Sequence, residues 1–240
     1  PREPRAHHAL RHGDRLYVSY WHGGGFIVDI SDMSRPKTVS HLDYGTAFPW
    51  PTHSLLPVPF EIWGHKWMLV ADEDVLPKET DRQPQMPAFL WMVNITDEKK
   101  PIPVSSYQVE GVNGKGFGPN TGCHQPVEEI ISNEVPCAWF AQGLRIIDIS
   151  NPQRMSEAAY YLPDPAPGQK RVCSNDVFQD KRGLIYLMDL WQGLHIVERI
   201  KMVDENTLQD EFTFEDPKVY VGKYTVTNSR NGYSKTYTSR

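Results

Sequence analysis

The chain has 240 residues and a formal net charge of -5, from 25 Lys and Arg against 30 Asp and Glu. So mild a balance, with no basic stripe able to neutralise a run of phosphates, argues against nucleic acid as a partner. With 20 prolines and 17 glycines, roughly one residue in six interrupts regular structure, which predicts many short strands joined by turns rather than long helices.

No apolar run approaches the ~18 residues that a membrane span requires. The opening PREPRAHHAL has neither an initiator Met nor the apolar stretch of a secretory signal, so the expectation is a processed product or part of a longer protein. The compartment stays open, with the cytoplasm favoured.

In chain order, the first predicted strands are HHALRH, DRLYVSYW, GGFIVDI and the more polar KTVSHLDY. A second set follows in THSLLPV, KWMLVADED, FLWMVN and IPVSSYQVE, with VLPKETDRQPQMPA as a charged, proline-rich insertion suited to an exposed loop. The third set is CHQPVEEI, PCAWFAQ, GLRIIDIS and EAAYYL; the fourth is SNDVFQD, LIYLMDLW and GLHIVERI. The third strands align on a polar anchor after a β-branched run: Asp29, Asn94, Asp148 and Glu198, at spacings of 65, 54 and 50 residues. Asp and Asn at such places accept hydrogen bonds from the amides of the next turn. Four antiparallel strands recurring at that interval are the pattern of β-propeller blades.

The run GLRIIDISNP, with AWFAQ before it, resembles the LVIVD-repeat β-propeller family of bacteria, over about residues 6 to 199. The expectation is an all-β, single-domain propeller across 1–240, with blades at about 6–45, 50–110, 122–163 and 173–225. The resemblance implies rings of about seven blades. Either this is a four-bladed ring, or it is the carboxy-terminal part of a larger one whose amino-terminal segment is missing here, in which case exposed blade edges would favour self-association.

In a propeller the first strand of each blade starts at one mouth of the central channel, and the second strand ends there. The first group is His7 and His8, His53, His124, and Asn175 with Asp176. Imidazole thus recurs at one repeat position in three blades and a carboxylate is available in the fourth, a donor set suited to a divalent transition metal such as Fe, Mn, Zn or Cu. A slip of one residue reverses a side chain's direction, so the choices between His7 and His8 and between Asn175 and Asp176 stay open. The second group supplies Asp72, Glu73 and Asp189 as candidate catalytic or orienting acids, and Trp21, His22, Gln142 and Trp191 as candidate substrate contacts. Asp74 also falls there. The bland alternative is a ring of hydrogen-bonded structural histidines with aromatics packed between blades.

Three cysteines cannot all pair internally. Cys137 reads as a buried strand thiol, and Cys123 and Cys173 as free thiols near the mouth. GVNGKGFG lacks both P-loop spacing and a strand-to-helix setting, and reads as a loop between blades. Two functions follow: a metal-dependent enzyme, oxidoreductase or hydrolase, acting on a small molecule at the propeller mouth, or a non-catalytic propeller that binds a partner.

Overall fold

A computed structural model describes residues 4–43, 50–73, 88–109, 122–199, 223–227 and 234–238. The insertion after Glu73, including Asp74, and the GVNGKGFG loop lie outside the described residues. Among the described residues every regular element is a strand. The first unit comprises β1 (Pro4–His12), β2 (Arg15–Trp21), β3 (Gly25–Asp29) and β4 (Lys37–Leu42). The second comprises β5 (Thr52–Pro57), β6 (Trp67–Asp72), β7 (Leu90–Asn94) and β8 (Ile102–Tyr107). In the third are β9 (Gln125–Pro126), β10 (Glu134–Ala138), β11 (Leu144–Asp148) and β12 (Ser156–Tyr161), and in the fourth β13 (Ser174–Gln179), β14 (Leu184–Asp189) and β15 (Gly193–Glu198). A separate hairpin joins β16 (Lys223–Thr227) to β17 (Ser234–Thr238).

Within each unit, consecutive strands pair antiparallel. Three of the sequence anchors do as their chemistry dictates: Ser31, Thr96 and Ser150 each donate a backbone N–H to the anchor two residues earlier, Asp29, Asn94 and Asp148, at 2.9, 2.9 and 2.8 Å. The third-to-fourth strand register also shifts at the same place in three units, at Ile27/Val28, Met92/Val93 and Ile146/Ile147. The first three units are therefore structural repeats, down to the bulge.

β5 and β6 are buried on both faces, which explains why LLPV and WMLVA read as unbroken apolar runs. Leu55, Met68, Val70 and Val93 pack with Tyr17 and Ile27 of the first unit. Their alternating neighbours Leu56, Leu69, Ala71 and Met92 pack with Val135, Ile147 and Trp139 of the third. Each such side chain, fully withdrawn from water, contributes about 1.5–3 kcal/mol. The fourth unit sends Val177, Ile185 and Leu187 into this core, while Phe178, Met188 and Leu194 on its other face stay 53%, 50% and 39% exposed.

Candidate functional site

The inner strands open with an irregularity that repeats. In the second unit Thr52 pairs with Asp72 and Ser54 with Ala71, which leaves His53 as the extra residue. In the fourth, Ser174 pairs with Asp189 and Asp176 with Met188, leaving Asn175. The first unit shifts register between Pro4 and His8, and His8 pairs with Ser19; the third pairs Gln125 with Ala138. Aligned on these pairs, His7, His53, His124 and Asn175 occupy one repeat position, and His8, Ser54, Gln125 and Asp176 the next. Bulges of this kind re-aim a side chain out of the pleat. The same alignment places Trp21, Glu73, Phe140 and Leu190 at one position, two residues beyond Ser19, Ala71, Ala138 and Met188. Glu73 N donates to Pro51 O and Leu190 N to Cys173 O, the same bond in two units.

These two rings bring His7, His53, His124 and Glu73 together. One donor atom each from His7, His53 and Glu73 fall within 4.8 Å of one another. His124 stands outside that mutually close set but faces the same carboxylate: its Nε2 is 3.4 Å from Glu73 Oε1, and His7 Nε2 is 3.8 Å from Glu73 Oε2. The His53 ring lies 4.5 Å from that of His7 and 4.2 Å from that of His124, centre to centre. His124 Nδ1 contacts the Asn175 carbonyl oxygen. A carbonyl only accepts, so Nδ1 carries the hydrogen and Nε2 is the ring nitrogen turned to Glu73. The two atoms face each other at a distance that either a ring proton on Nε2 or a shared metal ion fits. Burial holds His53 neutral, pushing its pKa down to about 2, with the neighbouring imidazoles adding to the effect. His7 is lowered too, by burial first, against the opposing pull of Glu73. Glu73 is buried, and its Oε2 has no hydrogen-bond partner among the described residues.

The remaining sequence candidates sit elsewhere. His8 turns to Glu128, with Nε2 2.8 Å from Oε1. Asp176 is exposed, and its Oδ1 accepts the N–H of Val177. Asp189 is consumed by backbone, Oδ2 accepting from Cys173 N at 2.7 Å and Oδ1 from Trp191 N and Gln192 N at 2.9 and 3.1 Å. Gln142 Oε1 accepts from the guanidinium of Arg145. Trp191 is 43% exposed, and His22 packs edge-on to Trp21 at 6.2 Å. Trp21 does reach the cluster, 5.4 Å from His7 between ring centres, and its buried Nε1 has no partner among the described residues.

Phe140, which sequence reasoning passed over, lies 4.3 Å from the His124 ring. Trp21 and Phe140 share a left-handed backbone, φ 42° and 39°, uncommon for bulky residues and concentrated at functional sites. In both, a residue three positions on closes the turn with its N–H on the aromatic's carbonyl, Gly24 on Trp21 and Gly143 on Phe140. The spacing of aromatic and glycine was visible in YWHGG and WFAQG. The backbone conformation was not.

Asp72 is fully buried, with Oδ2 accepting from Trp91 Nε1 at 2.6 Å. Burial pushes its pKa up to about 8, against the pull of that hydrogen bond. In the unfolded chain it ionises near the usual 3.8. Between the two values the folded state holds the extra proton, so stability falls as pH rises from about 4 to 8 and is level beyond. Asp72→Asn should flatten that slope; urea unfolding at pH 5 and pH 8 measures it, and an unchanged difference between the two would contradict this account.

All three cysteines are free and buried. Cys123 and Cys173 are free, as expected, and packed inside, and burial raises both thiol pKa values, Cys173 to about 11. Iodoacetamide should label none of the three in the native protein and all three in urea, as mass spectrometry would read.

Fold and site define an all-β protein of repeated antiparallel units, three of them four-stranded among the described residues, with a histidine–glutamate cluster where their first strands open. The chain carries the LVIVD repeat, matched over residues 12–43 and 137–162, the parts of the first and third units that hold the paired aromatic–glycine turns. No curated protein matches the chain. Among solved structures it is similar to apo AztD from Citrobacter koseri, at 10% identity and a TM-score of 0.42, over 82% of this chain and 45% of that one. It is also similar to the periplasmic gluconolactonase PpgL of Pseudomonas aeruginosa, at 13% identity and a TM-score of 0.48, over 94% of this chain and 66% of that one. The chain thus spans less than two thirds of either structure. No helix among the described residues is long and apolar enough to cross a membrane.

Proposed function

We propose that this chain is a metal-dependent enzyme whose four repeats act as propeller blades in one domain, either closing a ring or contributing to a larger one. His7, His53 and His124, through Nε2, and Glu73, through its carboxylate, hold one divalent ion of Fe, Mn, Zn or Cu. The observation that carries this reading is the facing of His124 Nε2 and Glu73 Oε1 at 3.4 Å. Tetrahedral donors about 2.1 Å from a shared ion stand about 3.4 Å apart. Three neutral nitrogens and one carboxylate suit these transition ions better than Mg or Ca.

When bound, such an ion polarises a carbonyl or activates water or dioxygen. The chain's own residues do the rest: Trp21 and Phe140 wall the cluster, and the unpartnered Trp21 Nε1–H offers a hydrogen bond to a small-molecule oxygen. Glu73 serves as a ligand, and Asp72 and Asp189 as framework acids. Elemental analysis after growth with supplemented metals should find one transition ion per chain, and His124→Ala should lose it with the fold intact by circular dichroism. Protein with no bound ion after supplementation would overturn the proposal. The exposed Phe178, Met188 and Leu194 favour the second reading, a surface that binds a partner or another copy.

A further inference from the structure

His53 Nδ1 lies 2.8 Å from Ser54 Oγ. Ser54 Oγ is in turn 3.0 Å from Gln125 Oε1, across the boundary between the second and third units, and Gln125 Nε2 is 2.9 Å from the carbonyl oxygen of Pro126. The chain ends on an oxygen that can only accept, so every hydrogen in it is determined. The Gln125 amide nitrogen faces Pro126, which turns Oε1 to Ser54. The single Ser54 hydroxyl hydrogen is spent on Oε1, so Ser54 Oγ accepts from His53 Nδ1–H. His53 Nε2 is left as a bare lone pair. The reverse arrangement sets two acceptors face to face at one end or the other. All three side chains are buried, where a mispaired group costs about 1–3 kcal/mol.

We infer that Ser54 and Gln125 are positioning residues that lock His53 in its Nδ1–H tautomer and hold Nε2 open toward His7 and Glu73. They occupy the repeat position just after the histidines, and from there they fix the hydrogen of a donor that the preceding position presents. His124 receives the same service from the Asn175 carbonyl. Outer partners of this kind set ring orientation and tautomer in metal-binding imidazoles. The inference rests on the metal reading for its effect on affinity, and stands apart from it for the tautomer.

The test uses the whole chain, metal-free and labelled with 15N-histidine, with His53 assigned by comparison with His53→Gln. The 15N shifts of His53 should show protonated Nδ1 and unprotonated Nε2. Gln125→Leu frees the Ser54 hydroxyl to donate to Nδ1, and should move the ring toward Nε2–H while the other histidine signals stay in place. Ser54→Thr keeps the hydroxyl and should keep the tautomer. In chelator-competition titrations with Zn2+, Gln125→Leu should bind 10- to 100-fold more weakly, and Ser54→Thr close to the parent. A parent His53 carrying its hydrogen on Nε2, or a Gln125→Leu spectrum unchanged at His53, would overturn the inference. A parent that shows the expected tautomer and binds none of Zn2+, Mn2+, Fe2+ and Cu2+ supports the positioning role and removes the metal-dependent function instead.

Discussion

Glu73→Gln should weaken Zn2+ binding by at least about 100-fold, at the upper limit of or beyond the 10- to 100-fold typical of outer-sphere partners. The substitution preserves shape and removes the one negative charge that the cluster brings to a dication. An imidazole binds a metal without adding charge, and burial opposes the protonation of His53. A buried dication held by imidazoles alone lacks the compensation that a desolvated charge demands. The fold should survive, because Glu73 Oε2 has no hydrogen bond to lose among the described residues. Competition titration with a chelator reads the affinity, and thermal unfolding checks the fold. Equal affinity in parent and variant would remove Glu73 from the ligand set.

The largest stability loss is expected at Gly143. Its φ is +75°, and an added Cβ would run into the Tyr161 carbonyl oxygen and lie 3.1 Å from the Leu162 Cα. Neither obstacle is the free end of a side chain, so the backbone of the neighbouring strand would have to move. Gly24, at the same place in the first unit, has φ +77° and meets the Leu42 carbonyl in the same way. Gly143→Ala should cost about 3 kcal/mol or more, combining left-handed strain with overpacking. Gly183→Ala is the control: its φ is +88° but nothing lies within 4 Å, so only the backbone term of about 1–2 kcal/mol remains. Urea midpoints at constant slope compare them, and equal losses at the two sites would refute the clash.

Most strands were legible because each buries a β-branched run against a repeated partner, and anchors such as Asp29 and Asp148 announce their turns by residue type. The histidines stood out for the same reason, since repetition supplies the register that a single sequence lacks. What stayed hidden follows from the bulge. Period-two reasoning assigns faces by counting, and an extra residue at the strand opening breaks the count between Pro4 and His8 and around His53. That is why His7 could not be told from His8, nor Asn175 from Asp176. Asp72 and Glu73 are adjacent and alike in sequence, yet one is sunk against Trp91 and the other meets two histidines. Cys123 and Cys173 were placed by strand position alone, which says nothing of the neighbouring unit that covers them.

The bulge also separates the geometry of the cluster from its chemistry. The place at Asn175 is made by the same register slip as the place at His53, although one carries an amide and the other an imidazole. A duplicated unit inherits the socket whether or not it fills it. Side chains there can then be exchanged by single substitutions while the sheets beneath keep their pairing, and chains built from this repeat can differ in the chemistry of the cluster without differing in how they fold.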